Sequence, residues 1–388
     1  MSSTAPPSFS PDRVTTPAYV VDLALLKKNL ELLQHVQTEA GCTILLALKG
    51  FSMFSTFPLV RQYLKGCCAS GLNEALLAHH EFQREVHVYC PAYKVDEMEK
   101  ILPIAGHLSF NSLAQWHKFR PIVQSATGNR PSPGLRVNPE VSTVEVALYD
   151  PCSPGCRLGT RDVELDENAD LEGLEGLHFH ALCEQDSDIL ERVLDSVEKR
   201  FPRLLKQVKW VNMGGGHHIT KPGYDIERLI RIVKAFRERH NVEVYLEPGE
   251  AIALNTGFLV ASVLDIVGVQ GTQTAILDIS ATCHMPDVLE MPYRPFIIGA
   301  GLPDEHPNTY KLGGTSCLAG DVIGAYSFPA PLEIGQKLVF TDMAHYTMVK
   351  TTTFNGVPHP DIDTYDPATD ELRVVRHFGY EDFRDRLS

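Results

Sequence analysis

Short apolar runs rich in branched residues recur between residues 44 and 247, at 44–48, 66–69, 86–89, 107–110, 135–137, 177–179, 208–211 and 242–246. Between them lie stretches with the three-and-four apolar spacing of amphipathic helices, at 72–80, 188–200 and 225–239. Eight alternations of strand and helix predict an α/β fold of the (β/α)8 TIM-like barrel type. A doubly wound open sheet is the other arrangement that uses such alternation. After Pro248 the texture changes. Runs at 260–267, 273–279, 294–298, 336–340 and 347–353 read as strands separated by Gly, Pro and Asp turns, so a C-terminal all-β domain is expected. Residues 17–22 also read as a strand and could join that domain. The predicted division is therefore a barrel over 23–250 and a discontinuous β-domain built from 1–22 and 251–388.

Composition narrows the function classes. The 388 residues are 44% hydrophobic and 22% charged, which is globular composition and excludes fibrous and largely disordered classes. Lys and Arg number 35 against 49 Asp and Glu, a net charge of −14. That balance argues against a nucleic-acid partner and suits cationic ones such as polyamines. The nine cysteines are scattered, and no secretory opening or run of membrane-spanning length is present. A reduced, cytoplasmic chain without a membrane partner is expected. No metal site is expected: Cys152 and Cys156 lack a second pair nearby, His79 and His80 read as helix surface, and His217 and His218 read as a cap for the next helix.

In barrels of this type chemistry collects at the C-terminal ends of the strands. The first run ends at Lys49, whose amine, directed into the barrel mouth, would be partly desolvated and nucleophilic, suited to a Schiff base. The sixth ends at His180, with Cys183 and Glu184 just beyond. The seventh ends in Gly214, Gly215 and Gly216, whose backbone N–H groups could approach an anion. The eighth ends at Glu247, followed by Glu250; a buried acid needs a cationic partner. An amine, an imidazole, an anion cradle and a carboxylate together match the needs of pyridoxal 5'-phosphate: a lysine for its aldehyde, donors for its phosphate, a flat group against its ring and an acid at its ring nitrogen.

At these residues the chain resembles the fold-type III, alanine-racemase-like pyridoxal-phosphate decarboxylases that act on ornithine, arginine and diaminopimelate. The resemblance runs from Thr16-Pro17-Ala18-Tyr19 to Phe354-Asn355-Gly356. It is carried by Ala47-Leu48-Lys49, the segment from Gly176 to Glu184, Asn212 to His217, Glu247-Pro248-Gly249, Cys317 to Asp321 and Ala344-His345-Tyr346. The His-Ala-Leu-Cys-Glu and Cys-Leu-Ala-Gly-Asp variants resemble the carboxynorspermidine (carboxyspermidine) decarboxylase branch. The resemblance implies that Lys49 carries the cofactor, His180 stacks on its ring, Gly214 to Gly216 and Tyr346 serve its phosphate, and Glu247 holds its ring nitrogen protonated. It also implies that Cys317 and Asp321 reach the site from the second subunit of a homodimer with shared active sites. Cys317 or the released Lys49 would then protonate the substrate carbon. Ornithine-type relatives commonly carry Arg after Glu-Pro-Gly; here Glu250 stands there, which suggests that it faces a cation.

The implied substrate is a small carboxylated polyamine. Glu184, Glu250, Asp287 and Glu290 are candidates for its cationic arm, and Arg294 for its carboxylate. Other readings stay open: a diaminopimelate or basic amino-acid decarboxylase, an amino-acid racemase, or a non-catalytic regulator on the same fold. Glu250 opposes a distal carboxylate, Glu247 opposes the racemase, and Lys49 with Cys317 opposes the regulator.

Overall fold

The computed structural model describes residues 6–144 and 146–388, with the backbone alone at Val269. It divides into two compact units, one joining the chain up to Lys28 to Ala253–Ser388, the other spanning Asn29–Ile252. The first strand of the first unit is β1 (Ala18–Asp22), buried along its whole length. The second holds β2 (Thr43–Ala47), β3 (Gly66–Ala69), β4 (Glu85–Tyr89), β5 (His107–Phe110), β6 (Ser132–Arg136), β7 (Gly176–His178), β8 (Trp210–Asn212) and β9 (Glu243–Leu246). These eight pair in parallel and in order, and β9 closes on β2. The predicted barrel is present, and the open sheet is excluded.

The outer helices follow their pattern. Along Ser187–Arg200 the buried residues Leu190, Val193, Leu194 and Val197 recur at helical spacing, one stripe facing the barrel. The helix Ile226–His240 is capped by Asp225, whose carboxylate accepts the Arg228 N–H at 2.9 Å. His217 and His218 lie well before that helix and do not cap it; both are buried.

The barrel interior is unusually polar, and the period of two explains where each group points. A lower layer comes from residues early in the strands: His87 stacks on His107 with centroids 4.0 Å apart, and Trp210 and Tyr245 pack against them. Gly134 and Gly176 make room for the Trp210 ring, since a Cβ at either would fall inside the indole. The upper layer, two residues further along, holds Tyr89, Arg136, His178 and Asn212. Strand alternation thus carries polar side chains up to the C-terminal mouth.

The first unit is built on one mixed sheet. It adds β10 (Gly257–Val269), β11 (Thr272–Leu277), β12 (Asn308–Gly313), β13 (Val322–Phe328), β14 (Lys337–Thr341), β15 (Asp361–Asp366) and β16 (Glu371–Arg376). The order is β13-β12-β11-β10-β1-β15-β16, with β14 also on β10. β1 does join this sheet, antiparallel to β10 and parallel to β15. Two expected strands are absent. Residues 294–298 contribute a single bridge, Ile297 to Phe340, and 347–353 form a turn of 3-10 helix at Met348–Lys350. β-branched residues at 347–353 find no strand to pair with, and β-propensity without a partner decides little.

β15 reverses the usual alternation: Asp361, Asp363 and Tyr365 are buried, while Ile362 and Thr364 are more exposed. Burial, and then Asp361, pushes Asp363 up to about 7, and its Oδ1 has no hydrogen-bond partner among the described residues. Below about pH 4 both folded and unfolded chains keep this proton. As pH rises toward 7 the unfolded chain releases it first, so stability is lost across that window. Asp363→Asn should therefore raise Tm relative to the native chain at pH 8, by on the order of 1–3 kcal/mol of stability, and change it little near pH 4.5. Thermal melts at both pH values check this; an equal effect at both would contradict it.

Candidate active site

The barrel strands end in a ring of polar side chains. Glu247 follows β9 and is deeply placed. Its Oε1 accepts a hydrogen bond from Asn212 Nδ2 at 2.6 Å, and its Oε2 lies 3.6 Å from His178 Nε2. Burial pushes the Glu247 carboxyl up, opposed by the Asn212 bond and by the charges of Lys49 and Arg136. The site is thus a buried acid facing two cations, one arrangement in which a carboxylate can meet a protonated ring nitrogen. His178 is 2% exposed and neither ring nitrogen is hydrogen-bonded among the described residues. Burial, then Arg136 and Lys49, holds it well below the usual histidine value, so it is neutral.

His180 lies two residues past β7. Its Nδ1 accepts the Gly215 N–H at 2.8 Å, which leaves the proton of the neutral ring on Nε2. Burial, then Lys49 and Arg136, keeps it neutral. A Cβ on Gly215 would stand 2.5 Å from the Glu247 carbonyl oxygen and 3.4 Å from His180 Cε1. The glycine is therefore needed for close approach between two strand ends and a flat ring. Gly214 and Gly216 have φ of +68° and +81°, the left-handed region where glycine is least strained.

The glycine run differs from the three free donors expected of it. Gly214 N–H goes to Asn212 Oδ1 at 2.9 Å and Gly215 N–H to His180. These two bonds hold Asn212 and His180 in place. Lys49 follows β2 by two residues and is exposed, so the desolvation expected of its side chain is not seen. Its charge nevertheless acts on Cys68, His178, His180, Cys183 and Glu247, which places the amine over the same mouth.

Glu184 and Glu250 share this mouth. The Cys183 thiol is pushed up to about 11 by burial, then by Glu184 and Glu250. Glu250 Oε1 lies 3.3 Å from His218 Nε2. Arg136, Tyr89 and Asn111 were not anticipated. Arg136 is buried at the end of β6 with its guanidinium 4.4 Å over the Tyr89 ring, and Tyr89 donates to Asn111 Oδ1 at 2.7 Å. An arginine inside an apolar strand run was the available signal.

The remaining predicted residues belong to the first unit, and several have structural partners. Asp321 is 4% exposed and accepts from Ala281 N at 2.7 Å and Ser316 Oγ at 2.6 Å, so it fastens loops of its own unit. Arg294 donates through Nε and Nη2 to the carbonyls of Ala325 and Gly301 and lies 3.8 Å over the Tyr326 ring, so much of its guanidinium is engaged within its own unit. Asp287 pairs with Lys350 at 2.5 Å, with Glu290 at 4.0 Å from the same amine. Both acids are thus engaged by a cation of their own unit. Cys317 is exposed on the loop after β12, its backbone N–H bonded to Asn355 Oδ1 at 2.8 Å. Tyr346 has φ of +46° and lies beneath the Lys350 amine.

Among the described residues no helix is long and apolar enough to cross a membrane. The family model described as pyridoxal-dependent decarboxylase, C-terminal sheet domain, matches residues 18–344. A carboxyaminopropylagmatine decarboxylase from Synechocystis sp. is 47% identical over 373 residues, covering 96% of this chain and 95% of that one. A carboxynorspermidine/carboxyspermidine decarboxylase from Campylobacter jejuni is 46% identical, with 96% and 98% covered. A solved carboxynorspermidine decarboxylase from Campylobacter jejuni, in complex with norspermidine, superposes with a TM-score of 0.88 at 46% identity, over 96% of this chain and all of that one (100%). A diaminopimelate decarboxylase from Helicobacter pylori, 18% identical with a TM-score of 0.79 and 97% of each chain covered, shares the fold.

Proposed function

The chain belongs to the pyridoxal-dependent decarboxylases, and on that footing we propose that it removes the α-carboxyl group of a carboxylated polyamine. The observation that carries the substrate class is the acid pair at the mouth, Glu184 and Glu250, both acting on the Cys183 thiol. Two carboxylates there suit a substrate whose arm carries cationic nitrogens, at about 1–3 kcal/mol per charged hydrogen bond. The named relatives act on carboxynorspermidine, carboxyspermidine and carboxyaminopropylagmatine. These share an amino-acid head and a cationic arm; the arm's end, amine or guanidine, sets them apart. Glu250 in place of arginine also argues against a distal carboxylate of the diaminopimelate kind.

The residues present fit pyridoxal phosphate, on three grounds: a buried acid with one oxygen not taken by Asn212, a neutral imidazole fixed at Nδ1, and a glycine turn that a Cβ would fill. Bound there, the cofactor supplies a sink for the electron pair left when carbon dioxide departs. In this reading Lys49 is the amine for its aldehyde. Glu247, oriented by Asn212, keeps its ring nitrogen protonated. His180 lies against its ring, and Gly216 serves its phosphate. Cys317 of a second subunit, or Lys49, returns a proton to the carbon that lost the carboxyl group. In this reading the enzyme works as a homodimer in the cytoplasm.

Carbon dioxide release from carboxynorspermidine, carboxyspermidine, carboxyaminopropylagmatine, meso-diaminopimelate and ornithine tests the proposal. Release from the carboxylated polyamines only is expected; release from diaminopimelate or ornithine alone would overturn the substrate class. Glu250→Gln should raise KM for the polyamine substrates about tenfold and leave kcat near its native value, because the arm's contact exists before and during the reaction. A fall in kcat at constant KM would move Glu250 from binding to the chemical step.

A further inference from the structure

The opposite, N-terminal end of the barrel holds a cluster that decarboxylation does not use. Glu85 opens β4, His87 follows on the same strand face, and His107 opens β5 in register with His87. Their ligand atoms lie within 4.8 Å of one another, a convergence that no other group of three His, Cys, Asp or Glu reaches among the described residues. Glu85 Oε1 is 3.0 Å from His87 Nε2 and 2.9 Å from His107 Nδ1. The first contact is an aligned hydrogen bond. The second is not: His107 Nδ1 is buried without a hydrogen-bond partner among the described residues, despite its distance from the carboxylate.

A carboxylate oxygen and two imidazole nitrogens form the donor set of borderline divalent metals. Bonds of about 2.1 Å meeting at the tetrahedral angle set their donors about 3.4 Å apart, so the 3.0 and 2.9 Å that Glu85 keeps to the two histidines need widen by only a few tenths of an ångström to admit the ion. The rings are stacked, 21° from parallel, so ligation needs the His107 ring to turn until its Nδ1 lone pair faces the ion. No aligned hydrogen bond holds that nitrogen against turning. Trp210 and Tyr245 wall the histidines on the barrel side. The Glu85 side chain keeps 32% of its surface exposed, which gives an ion and its waters a way in from below. We propose that Glu85, His87 and His107 bind one divalent transition-metal ion of the zinc class, clamping β4 to β5 at the base of the barrel, away from the decarboxylation site.

The full-length, cofactor-loaded protein, freed of metal with a chelator, should take up one zinc ion per chain in a calorimetric titration with zinc chloride. Glu85→Gln and His107→Gln should each weaken that binding roughly tenfold or more. Crystals of the native protein soaked in zinc chloride and measured at the zinc absorption edge locate the ion without any variant. An anomalous peak between these three side chains is expected. No stoichiometric uptake, a peak only at cysteine thiols or elsewhere, or native affinity in both folded variants would overturn the site.

Discussion

Glu247→Gln lowers kcat by roughly 10²-fold or more and leaves KM within a few-fold of the native value, because the loss falls on the step in which charge moves onto the cofactor ring. The substitution keeps an oxygen for the Asn212 Nδ2 donor that now bonds the carboxylate at 2.6 Å, so the strand end keeps its shape. What is lost is the negative charge. Burial pushes this carboxyl up in the protein alone, and the charges of Lys49 and Arg136 pull it down. In the proposed site Glu247 would face a protonated ring nitrogen, a further cation that would hold the acid ionised. The amide offers no such charge, so it would not keep the ring nitrogen protonated. Steady-state kinetics on the preferred substrate check this. Native kcat in the variant would show that ring protonation does not depend on Glu247.

Lys49→Ala has the larger effect. The amine stands at the rim of the mouth, and its charge acts on His178, His180 and Glu247 together. Removing it would take away both the amine proposed to hold the aldehyde and one cation acting on Glu247. Activity should fall by roughly 10³-fold or more, the scale on which a covalent anchor differs from its absence. The visible absorbance of lysine-bound cofactor should vanish as well. Lys49→Arg separates the two roles: it keeps the charge, so the folded protein survives, but it cannot form the imine and stays inactive. Activity within tenfold of native in Lys49→Ala would assign the anchor to another amine.

Much of the architecture is legible in the chain. Most barrel strands carry a short apolar run, β3 (Gly-Cys-Cys-Ala) being the weakest, and three of the stretches between them show three-and-four spacing, so the alternation is visible before any contact is known. β15 was not legible, because its buried face carries Asp361 and Asp363 and its more exposed face carries Ile362. A pattern read by polarity turns such a strand inside out. Residues 347–353 misled in the opposite way: their β-branched side chains suit a strand, but no neighbour pairs with them. The same limit applies in the mouth. Sequence shows that Gly214 and Gly215 have N–H groups; it does not show that Asn212 and His180 already take them. It shows the charges of Asp321 and Arg294, but not the loop amides and carbonyls that satisfy them. Arg136 escaped because a lone arginine in an apolar strand looks like an edge, whereas the closed barrel makes it a buried cation beside Tyr89.

The account rests on one geometric claim, that the C-terminal mouth of the barrel is where the cofactor is held, with Lys49 as its anchor. Reduction of the cofactor-loaded protein with borohydride fixes the imine as a stable amine, and peptide mass mapping then locates it. The predicted result is a single pyridoxyl-phosphate adduct on Lys49, lost when the carboxylated polyamine is present in excess before reduction. An adduct on another lysine, or none on a protein that still releases carbon dioxide, would contradict the account.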